Sequence, residues 1–272
     1  MSYTIKTFVA ETAPSSSADK KLTIALKEEG LSFTVVSGDS HLLAYCDAAI
    51  KTSGSIATVS SDIKAIFADK KLSTFGYSQV ELVTMTTLSS WIPEHLYEKG
   101  RERQYLALVG NPQPGTTCYA DYNDILKSYI IFSADSTAVS AIKIIFPGVK
   151  VRCQNSKLVI PEIVQGSDSA LVVNARNGYC DIVASSNGHL LLSNSFDCPT
   201  IGDTIYKALT VMKSFSMDNS TLSLWLCGNV DKDIYSVFAK YFPRVRLYTG
   251  RQFSFQNEEF RNLHTYKDVL VF

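Results

Sequence analysis

The sequence predicts an α/β fold made of two similar halves, because two strand-rich stretches share a motif and are followed by similar elements. Alternating apolar residues indicate three short strands in residues 22–46 and again in residues 169–196, since the side chains of a strand point alternately to its two faces. Both stretches contain a glycine followed by a His-Leu-Leu triplet, which begins at His41 and at His189, and both features recur 148 residues apart. We infer an internal duplication.

Tight-turn residues separate the strands of each stretch. Asn177-Gly178 and Asn187-Gly188 interrupt the second stretch, and Gly30 and Gly38 interrupt the first. Asn and Gly accept the positive φ that short hairpins require. Each stretch is therefore predicted to form a three-stranded antiparallel meander.

Helices and strands follow both meanders in the same order, β-β-β-α-β-α. Helical spacing and N-capping residues identify the helices. In the first half, helices are predicted at 60–67, where Ser60 or Ser61 would be the N-cap, and at 90–99, around a strand at 80–84. In the second half, helices are predicted at 201–215 and 231–242, around a strand at 222–227. Further strands are predicted at 129–132, 149–153 and 245–248, and further helices at 101–109, 136–146 and 158–164.

The 272 residues are enough for two lobes with separate cores. We predict an N-terminal arm at 1–20, punctuated by Pro14 and the serines after it, a first lobe at 21–165 and a second lobe at 166–272. The aromatic residues of the C-terminal tail predict that this tail packs back onto the protein.

Composition excludes several classes of protein. Lys and Arg together number 26, as do Asp and Glu, so no global charge favours nucleic acid or an anionic membrane. No apolar run reaches the length of a membrane span and no secretory signal is present, so we expect a cytoplasmic protein. The six cysteines include no Cys-x-x-Cys pair and are expected to be reduced thiols, and no metal site is predicted. His41 and His189 are expected to be solvated turn residues.

The predicted order of elements resembles the fold shared by actin, the heat-shock chaperone ATPase domains and the sugar kinases. Members of that fold bind phosphates between two meander turns that carry an aspartate and glycines, and they bind adenosine at a Gly-Gly turn after a later strand. The resemblance implies a nucleotide cleft. The residues at the corresponding positions of this sequence are Leu26, Glu28, Gly30, Asn174, Arg176, Asn177, Gly178, Asp181, Gly228 and Asn229.

Most of these residues depart from the family pattern. Leu26 and Asn174 stand where the two aspartates would be, and Glu28 and Glu29 stand where backbone should approach a phosphate. Leucine cannot hold magnesium or orient water. Two glutamates would repel a triphosphate, since like charges about 4 Å apart cost on the order of 1 kcal/mol in water and more in a cleft. The sequence therefore predicts the fold without ATP hydrolysis and without a catalytic residue.

The whole chain also resembles an uncharacterised family of Bacteroidetes proteins to which an actin-like ATPase fold has been attributed. The runs that carry this resemblance are Gly30–Phe33 and Leu190–Phe196. A more distant similarity is to actin-like proteins of pilus and secretion assembly, which use this fold as a docking platform.

Three functions remain open at this stage. The leading hypothesis is a non-catalytic docking or assembly module that binds protein partners, needs no cofactor and is compatible with a homodimer. The alternative is an ATP-binding kinase or ATPase with atypical phosphate loops, in which Arg176 and Asn177 supply donors and Asp181 supplies a carboxylate for magnesium. The third is binding of a different anion by Arg176 and nearby amides.

Overall fold

The computed structural model describes residues 3–11, 19–52, 54–248 and 253–263. The strands are β1 (Tyr3–Ala10), β2 (Lys20–Lys27), β3 (Gly30–Ser37), β4 (Leu42–Ile50), β5 (Gln79–Thr84), β6 (Ser89–Pro93), β7 (Thr116–Asn123), β8 (Ser128–Asp135), β9 (Lys150–Cys153), β10 (Ala170–Ala175), β11 (Tyr179–Ser186), β12 (His189–Asp197), β13 (Ser223–Gly228) and β14 (Val245–Leu247). The helices are α1 (Ile56–Asp69), α2 (Glu102–Ala107), α3 (Ser136–Ile145), α4 (Gln154–Lys157), α5 (Pro161–Val164), α6 (Ile201–Ser214) and α7 (Lys232–Ala239).

Two mixed sheets share one topology. The first has the order β1-β4-β3-β2-β5-β9 and the second has the order β12-β11-β10-β13-β14. Apart from β1, each sheet consists of an antiparallel meander followed by two parallel strands. The predicted α/β class and both meanders are confirmed, while descent from a duplication stays an inference from the sequence.

Apolar side chains of each meander pack against helices on one face of their sheet. In the first sheet Leu22 and Ile24 share a core with Ile63 of α1 and Ile142 of α3. In the second sheet Leu171 and Val173 share a core with residues of α6 and α7. The prediction that Ser60 or Ser61 caps α1 is wrong. Ser55 is the N-cap, and its hydroxyl accepts a hydrogen bond from the Thr58 N–H.

Part of the predicted N-terminal arm is a strand. Tyr3–Ala10 forms β1, which pairs antiparallel with β4 at the edge of the first sheet. Val9 is buried there beside Leu42 and Tyr45. The apolar side chains that alternate along this stretch allow it to pair at the edge of the sheet. The residues around Pro14 lie outside the described residues.

The helix predicted at 90–99 is also wrong. Residues Ser89–Pro93 form β6, which pairs with β8 in a separate sheet of order β6-β8-β7, and only Glu94–Leu96 forms a helical turn, of 3₁₀ type. Pro93 is the last residue of β6, where a missing N–H is tolerated. This small sheet is inserted between β5 and α3.

Only the second part of the helix predicted at 158–164 is helical, Pro161–Val164. The chain makes the short helix α4, runs through Leu158–Ile160 and starts α5 at Pro161. Proline suits the first helical position because its missing N–H has no intrahelical acceptor there. This linking segment packs on the face of the second sheet opposite its helices, where Val159 and Val164 meet Val172 and Val183.

The C-terminal segment 253–263 packs back, as its aromatic residues predict. Phe260 is 1% exposed and packs with Ala25, Tyr45 and Met85 on the face of the first sheet opposite α1 and α3. The Glu11 carboxylate accepts hydrogen bonds from two backbone N–H groups of this segment, at 2.6 and 3.0 Å.

His41 is a correction to the prediction of a solvated turn residue. Its Nδ1 lies 2.9 Å from the Ser254 hydroxyl, and its Nε2 lies 3.5 Å from Glu11. The ring therefore joins β1, the start of β4 and the C-terminal segment. The rest of the predicted C-terminal tail, residues 264–272, lies outside the described residues.

A buried carboxylate on β5 gathers three cations. The Glu81 side chain is 2% exposed, and its oxygens lie 2.8 Å from Lys21, 2.8 Å from Lys157 and 3.2 Å from Arg152. Arg152 also pairs with Asp121 of β7. Burial alone would raise the pKa of Glu81, but Lys157 and Lys21 outweigh it and lower the pKa from 4.5 to about 2. We call these five residues the Glu81 cluster.

Replacing Glu81 should change the acid limb of the stability curve. The pKa of Glu81 is lower in the folded than in the unfolded chain, so its ion pairs stabilise the fold above pH 4.5, and this contribution is lost as the pH falls towards 2. Glu81→Gln should lower the free energy of unfolding by about 3 kcal/mol at neutral pH and by a much smaller amount near pH 2. Urea denaturation at both pH values measures the difference.

The matched control is Glu98→Gln, since Glu98 pairs with Arg101 in an exposed ion pair. That variant should remain within about 1 kcal/mol of the parent at every pH. Equal destabilisation by Glu81→Gln at neutral pH and near pH 2 would contradict the assignment.

Candidate functional site

The two meander turns that were predicted to form a phosphate cleft contact each other directly. Arg176, after β10, donates from its NH1 to the Glu28 carboxylate on the β2–β3 turn at 2.6 Å. Beside it, the Asn177 amide donates to the Glu29 carboxylate. We call Glu28, Glu29, Arg176, Asn177 and Asp181 the clasp. The structure thus brings both predicted loops together, with side chains between them.

Arg176 lies between one carboxylate from each sheet. Its side chain is 3% exposed, its NH2 donates to Asp181 Oδ1 at 3.0 Å, and its Nε lies 3.0 Å from Asp181 Oδ2. The NH2 contact is a hydrogen bond and the Nε contact is an ion pair, so two nitrogens of one guanidinium face the two oxygens of one carboxylate. The guanidinium carbon also lies 5.3 Å from the centre of the Tyr179 ring. The positive charge is therefore placed where the resemblance implied a nucleotide's phosphates.

Asp181 is fully enclosed by protein donors. In addition to Arg176, its Oδ1 accepts from the Ser195 hydroxyl at 2.6 Å and from the Gln154 amide at 3.3 Å, and its Oδ2 accepts from the Asn174 amide at 2.9 Å. The residue has no exposed surface. Both carboxylate oxygens are engaged, so this arrangement serves Arg176 rather than presenting a ligand to a metal ion.

Gly228 is placed by packing against β10. Its φ is +88°, and a Cβ atom there would lie 2.2 Å from the Ala175 carbonyl oxygen and 2.4 Å from the Asn174 side chain. The next N–H, of Asn229, donates to Ala175 O at 2.7 Å. The turn that was predicted to receive adenosine therefore touches the end of β10.

The other two predicted glycines have different surroundings. Gly30 has a φ of +143°, and a Cβ atom would lie 2.2 Å from the Ala48 carbonyl oxygen of β4, so close strand packing requires glycine there. Gly178 follows Asn177 in the β10–β11 turn, where nothing lies within 4 Å of the position that a Cβ atom would take.

The prediction that Leu26 is equivalent to Asn174 is wrong by one residue. Leu26 faces the helix side of its sheet, as Ala175 does in the second sheet. Both residues also end their parallel ladders, opposite Thr84 and Gly228. Ala25, which faces away from the helices, takes the position of Asn174. The shift arises because the β3–β4 turn is one residue longer than the β11–β12 turn: Ser37 pairs with His41 across the first turn, and Ser186 pairs with His189 across the second. The offset that aligns His41 with His189 is therefore one residue too short for β2 and β10. Alanine also lacks a carboxylate, so the predicted absence of an aspartate stands.

The space left beside the clasp is small and its charged groups are paired. A cavity of about 200 Å³ is lined by clasp residues together with Lys6, Lys27 and Asp47. Lys6 and Glu29 lie 2.7 Å apart, as do Lys27 and Asp47, and hydrogen bonds from Lys6 and Asn177 lower the pKa of Glu29. Ordinary ligand pockets measure about 300–1,000 Å³. This cavity is too small for a nucleoside triphosphate.

Two residues of the linking segment that no sequence pattern singled out support Asp181. Gln154 of α4 bonds both to Asp181 and to the Thr86 backbone, and Asn155 donates to Ser195 at 3.2 Å. Gln154 and Asn155 are fully buried. A polar pair that directly follows a predicted strand was the available signal, but its partners are distant in sequence and no local pattern identifies them.

Removing the arginine of the clasp should leave the buried Asp181 carboxylate without its cation. Arg176→Met should lower the free energy of unfolding by about 3–5 kcal/mol, because Asp181 loses its cation. Glu28→Gln should cost about 1 kcal/mol or less, since the Glu28 side chain is 39% exposed. Combining Arg176→Met with Asp181→Asn should cost less than the two single changes together, by about 1 kcal/mol or more. Additive costs in chemical denaturation would exclude the pairing.

Among the described residues, no helix combines the length and the apolarity that crossing a bilayer requires.

The architecture is similar to that of solved structures. A protein of Bacteroides thetaiotaomicron with an actin-like ATPase fold and unknown function gives a TM-score of 0.71 at 20% identity, over 85% of this chain and 91% of that chain. A chain of the PilM–PilN type IV pilus biogenesis complex gives a TM-score of 0.57 at 10% identity, over 90% and 93% of the two chains. At these identities the likeness shows the fold, and the predicted actin-like ATPase fold is confirmed.

No curated protein matches the sequence. A family model described as a protein of unknown function, DUF3822, matches residues 10–245, which is most of the chain. The resemblance to an uncharacterised family with this fold is thereby confirmed, and the chain belongs to the DUF3822 family of proteins of unknown function.

Proposed function

We propose that this protein is a non-catalytic docking or assembly module, a pseudoenzyme on an actin-like ATPase fold whose nucleotide cleft is closed by its own side chains. The observation that carries the proposal is the position of Arg176 between Glu28 and Asp181. A triphosphate would need positive groups and backbone donors at this place. Here one guanidinium is already paired with two carboxylates, and the lysines that line the adjoining cavity among the described residues, Lys6 and Lys27, are paired with Glu29 and Asp47.

The chemistry of the alternative, an ATPase with atypical loops, is disfavoured by the same contacts. Its magnesium would need a carboxylate oxygen of Asp181, and both oxygens accept hydrogen bonds inside the protein. Its phosphates would lie beside Glu28 and Glu29, where like charges repel. Binding would therefore require the clasp to open, at the cost of breaking the buried ion pair.

Protein partners are part of the proposal. The PilM–PilN structure is a complex of two proteins that assembles in type IV pilus biogenesis, and it supports a role in assembly for a chain of the same fold. On this protein, Leu96, Leu108 and Val109 are 57%, 81% and 57% exposed. Leu96 ends the 3₁₀ turn before α2 and accepts a hydrogen bond from the Tyr105 hydroxyl of α2, and Leu108 and Val109 directly follow α2. Exposed apolar residues that lie close together favour protein contacts.

The proposal includes the organisation predicted from the sequence. We assign an N-terminal arm at 1–20, a first lobe at 21–165, a second lobe at 166–272 and an internal duplication. The lobe boundary at Gln165-Gly166 falls between α5 and β10. A cytoplasmic location completes the proposal.

Isothermal titration calorimetry and thermal shift with magnesium-ATP, magnesium-ADP and magnesium alone test the absence of nucleotide binding. We expect no saturable heat and no rise in melting temperature up to about 1 mM ligand, because bound ligand would stabilise the fold in proportion to its occupancy. A dissociation constant below about 10 µM, with turnover that Asp181→Ala abolishes, would replace this proposal by the ATPase alternative.

The docking surface is tested by the double variant Leu108→Ser, Val109→Ser. Both side chains are exposed, so the variant should keep its stability within about 0.5 kcal/mol. Affinity purification from the native host, quantified against the parent, should lose the partners that bind this surface. Tyr206→Ser is the matched control, since Tyr206 is 66% exposed on α6. An identical set of partners for the parent and the double variant would exclude this surface.

A further inference from the structure

A second and larger cavity lies away from the clasp, on the face of the first sheet opposite α1 and α3. It measures about 1180 Å³, and no clasp residue lines it. Lys21 and Thr23 of β2, Thr34 of β3 and Lys157 of α4 form one side, and Tyr248 and Phe253 lie on the lining contributed by the C-terminal part of the chain. The space is large enough for an organic ligand of ordinary size.

One buried hydroxyl that lines this cavity has no hydrogen-bond partner. Thr34 is 2% exposed, and among the described residues nothing bonds its Oγ1. Thr34 lies opposite Thr23 in the β2–β3 pairing, and Thr23 lies opposite Glu81 in the β2–β5 pairing. Buried polar groups in native proteins are almost always hydrogen-bonded. A polar atom that occupies the cavity would complete this arrangement.

The Glu81 cluster beside these hydroxyls carries one uncompensated positive charge. Among the described residues, the carboxylates paired with Lys21, Lys157 and Arg152 are those of Glu81 and Asp121. The side chains of Lys21 and Lys157 are 31% and 23% exposed, and both line the cavity. A charge excess at a largely buried place favours binding of one negative charge, since interactions are stronger there than in bulk water.

Other charged groups line the same cavity at its solvent side. Lys150, Asp19 and Glu162 all belong to the lining and are exposed. Water screens exposed charges, so their contribution is smaller than that of the buried cluster. Val36 and Val159 add apolar surface beside the two aromatic residues.

We propose that this cavity binds a small organic acid, with one carboxylate at Lys21, Lys157 and Thr34 and an apolar or aromatic body towards Tyr248 and Phe253. A single carboxylate matches the single excess charge of the Glu81 cluster, and a hydroxyl can donate to it. A phosphate dianion would bring more charge than the cluster leaves open, beside the negative charge of Glu81. The proposal does not depend on whether the clasp binds a nucleotide, because no clasp residue lines this cavity.

The test compares an acid with its neutral counterpart. Phenylbutyrate, phenylbutanol and inorganic phosphate are titrated against the full chain, with saturation-transfer NMR and thermal shift as readouts. We expect the acid to bind at least about tenfold more tightly than the alcohol, since a hydrogen bond to a charged group accounts for such a factor. Phosphate should bind more weakly than the acid.

Two variants locate the site. Thr34→Val keeps the shape of the side chain, removes the hydroxyl and should weaken acid binding about three- to tenfold. Ser32→Ala is the matched control, because Ser32 is also buried on β3 without a partner among the described residues but does not line the cavity. Its affinity for the acid should equal that of the parent.

Several outcomes would overturn the proposal. Equal affinity for acid and alcohol would leave only an apolar cavity, and tighter binding of phosphate would exclude the carboxylate class. Loss of binding with Ser32→Ala as large as with Thr34→Val would place the site elsewhere. Failure of the acid to bind would exclude the site. None of these results bears on nucleotide binding at the clasp, so this inference and the proposed function fail separately.

Discussion

The interaction on which the rest of the structure depends is the buried pairing of Arg176 with Asp181. The pair has almost no exposed surface, and removing water from two charges is tolerated only when both are paired and hydrogen-bonded. Asp181 is supplied with donors by β10, β12 and the linking segment, and Arg176 extends the pairing to Glu28 on the first meander. The contact between the two meander turns therefore follows from the pairing of one buried charge.

The linking segment serves two polar regions at once. Gln154 bonds to Asp181 near the clasp, while Lys157, one turn later in α4, pairs with Glu81. The segment 253–263 packs against Ala25 and Tyr45 on the face of the first sheet opposite α1 and α3. The face of the first sheet opposite α1 and α3 is therefore apolar where the segment 253–263 covers it and polar where it lines the larger cavity.

Local patterns predicted most of the fold and failed where partners are distant. Strand alternation and the turn glycines located both meanders, and the helix predicted from residue 231 is α7, whose N-cap is Asp231. The stretch around Trp91 was mistaken for a helix because its pairing with β8 is not visible locally. Leu26 was misaligned because turns of unequal length separate the strands, and a one-residue shift moves every side chain to the other face.

The sequence by itself determined that neither meander turn has an aspartate at its start and that Glu28 and Glu29 occupy the first turn, since those are properties of residue type. It also determined the two meanders and the order of strands and helices in the second half, which depend on periodicity and turn chemistry. Only the tertiary structure decided that Arg176 reaches Glu28, 148 residues away, and that Gln154 completes the surroundings of Asp181. The physical reason is that the pairing of buried charges depends on which surfaces meet when the two sheets pack together, and no local pattern encodes that meeting.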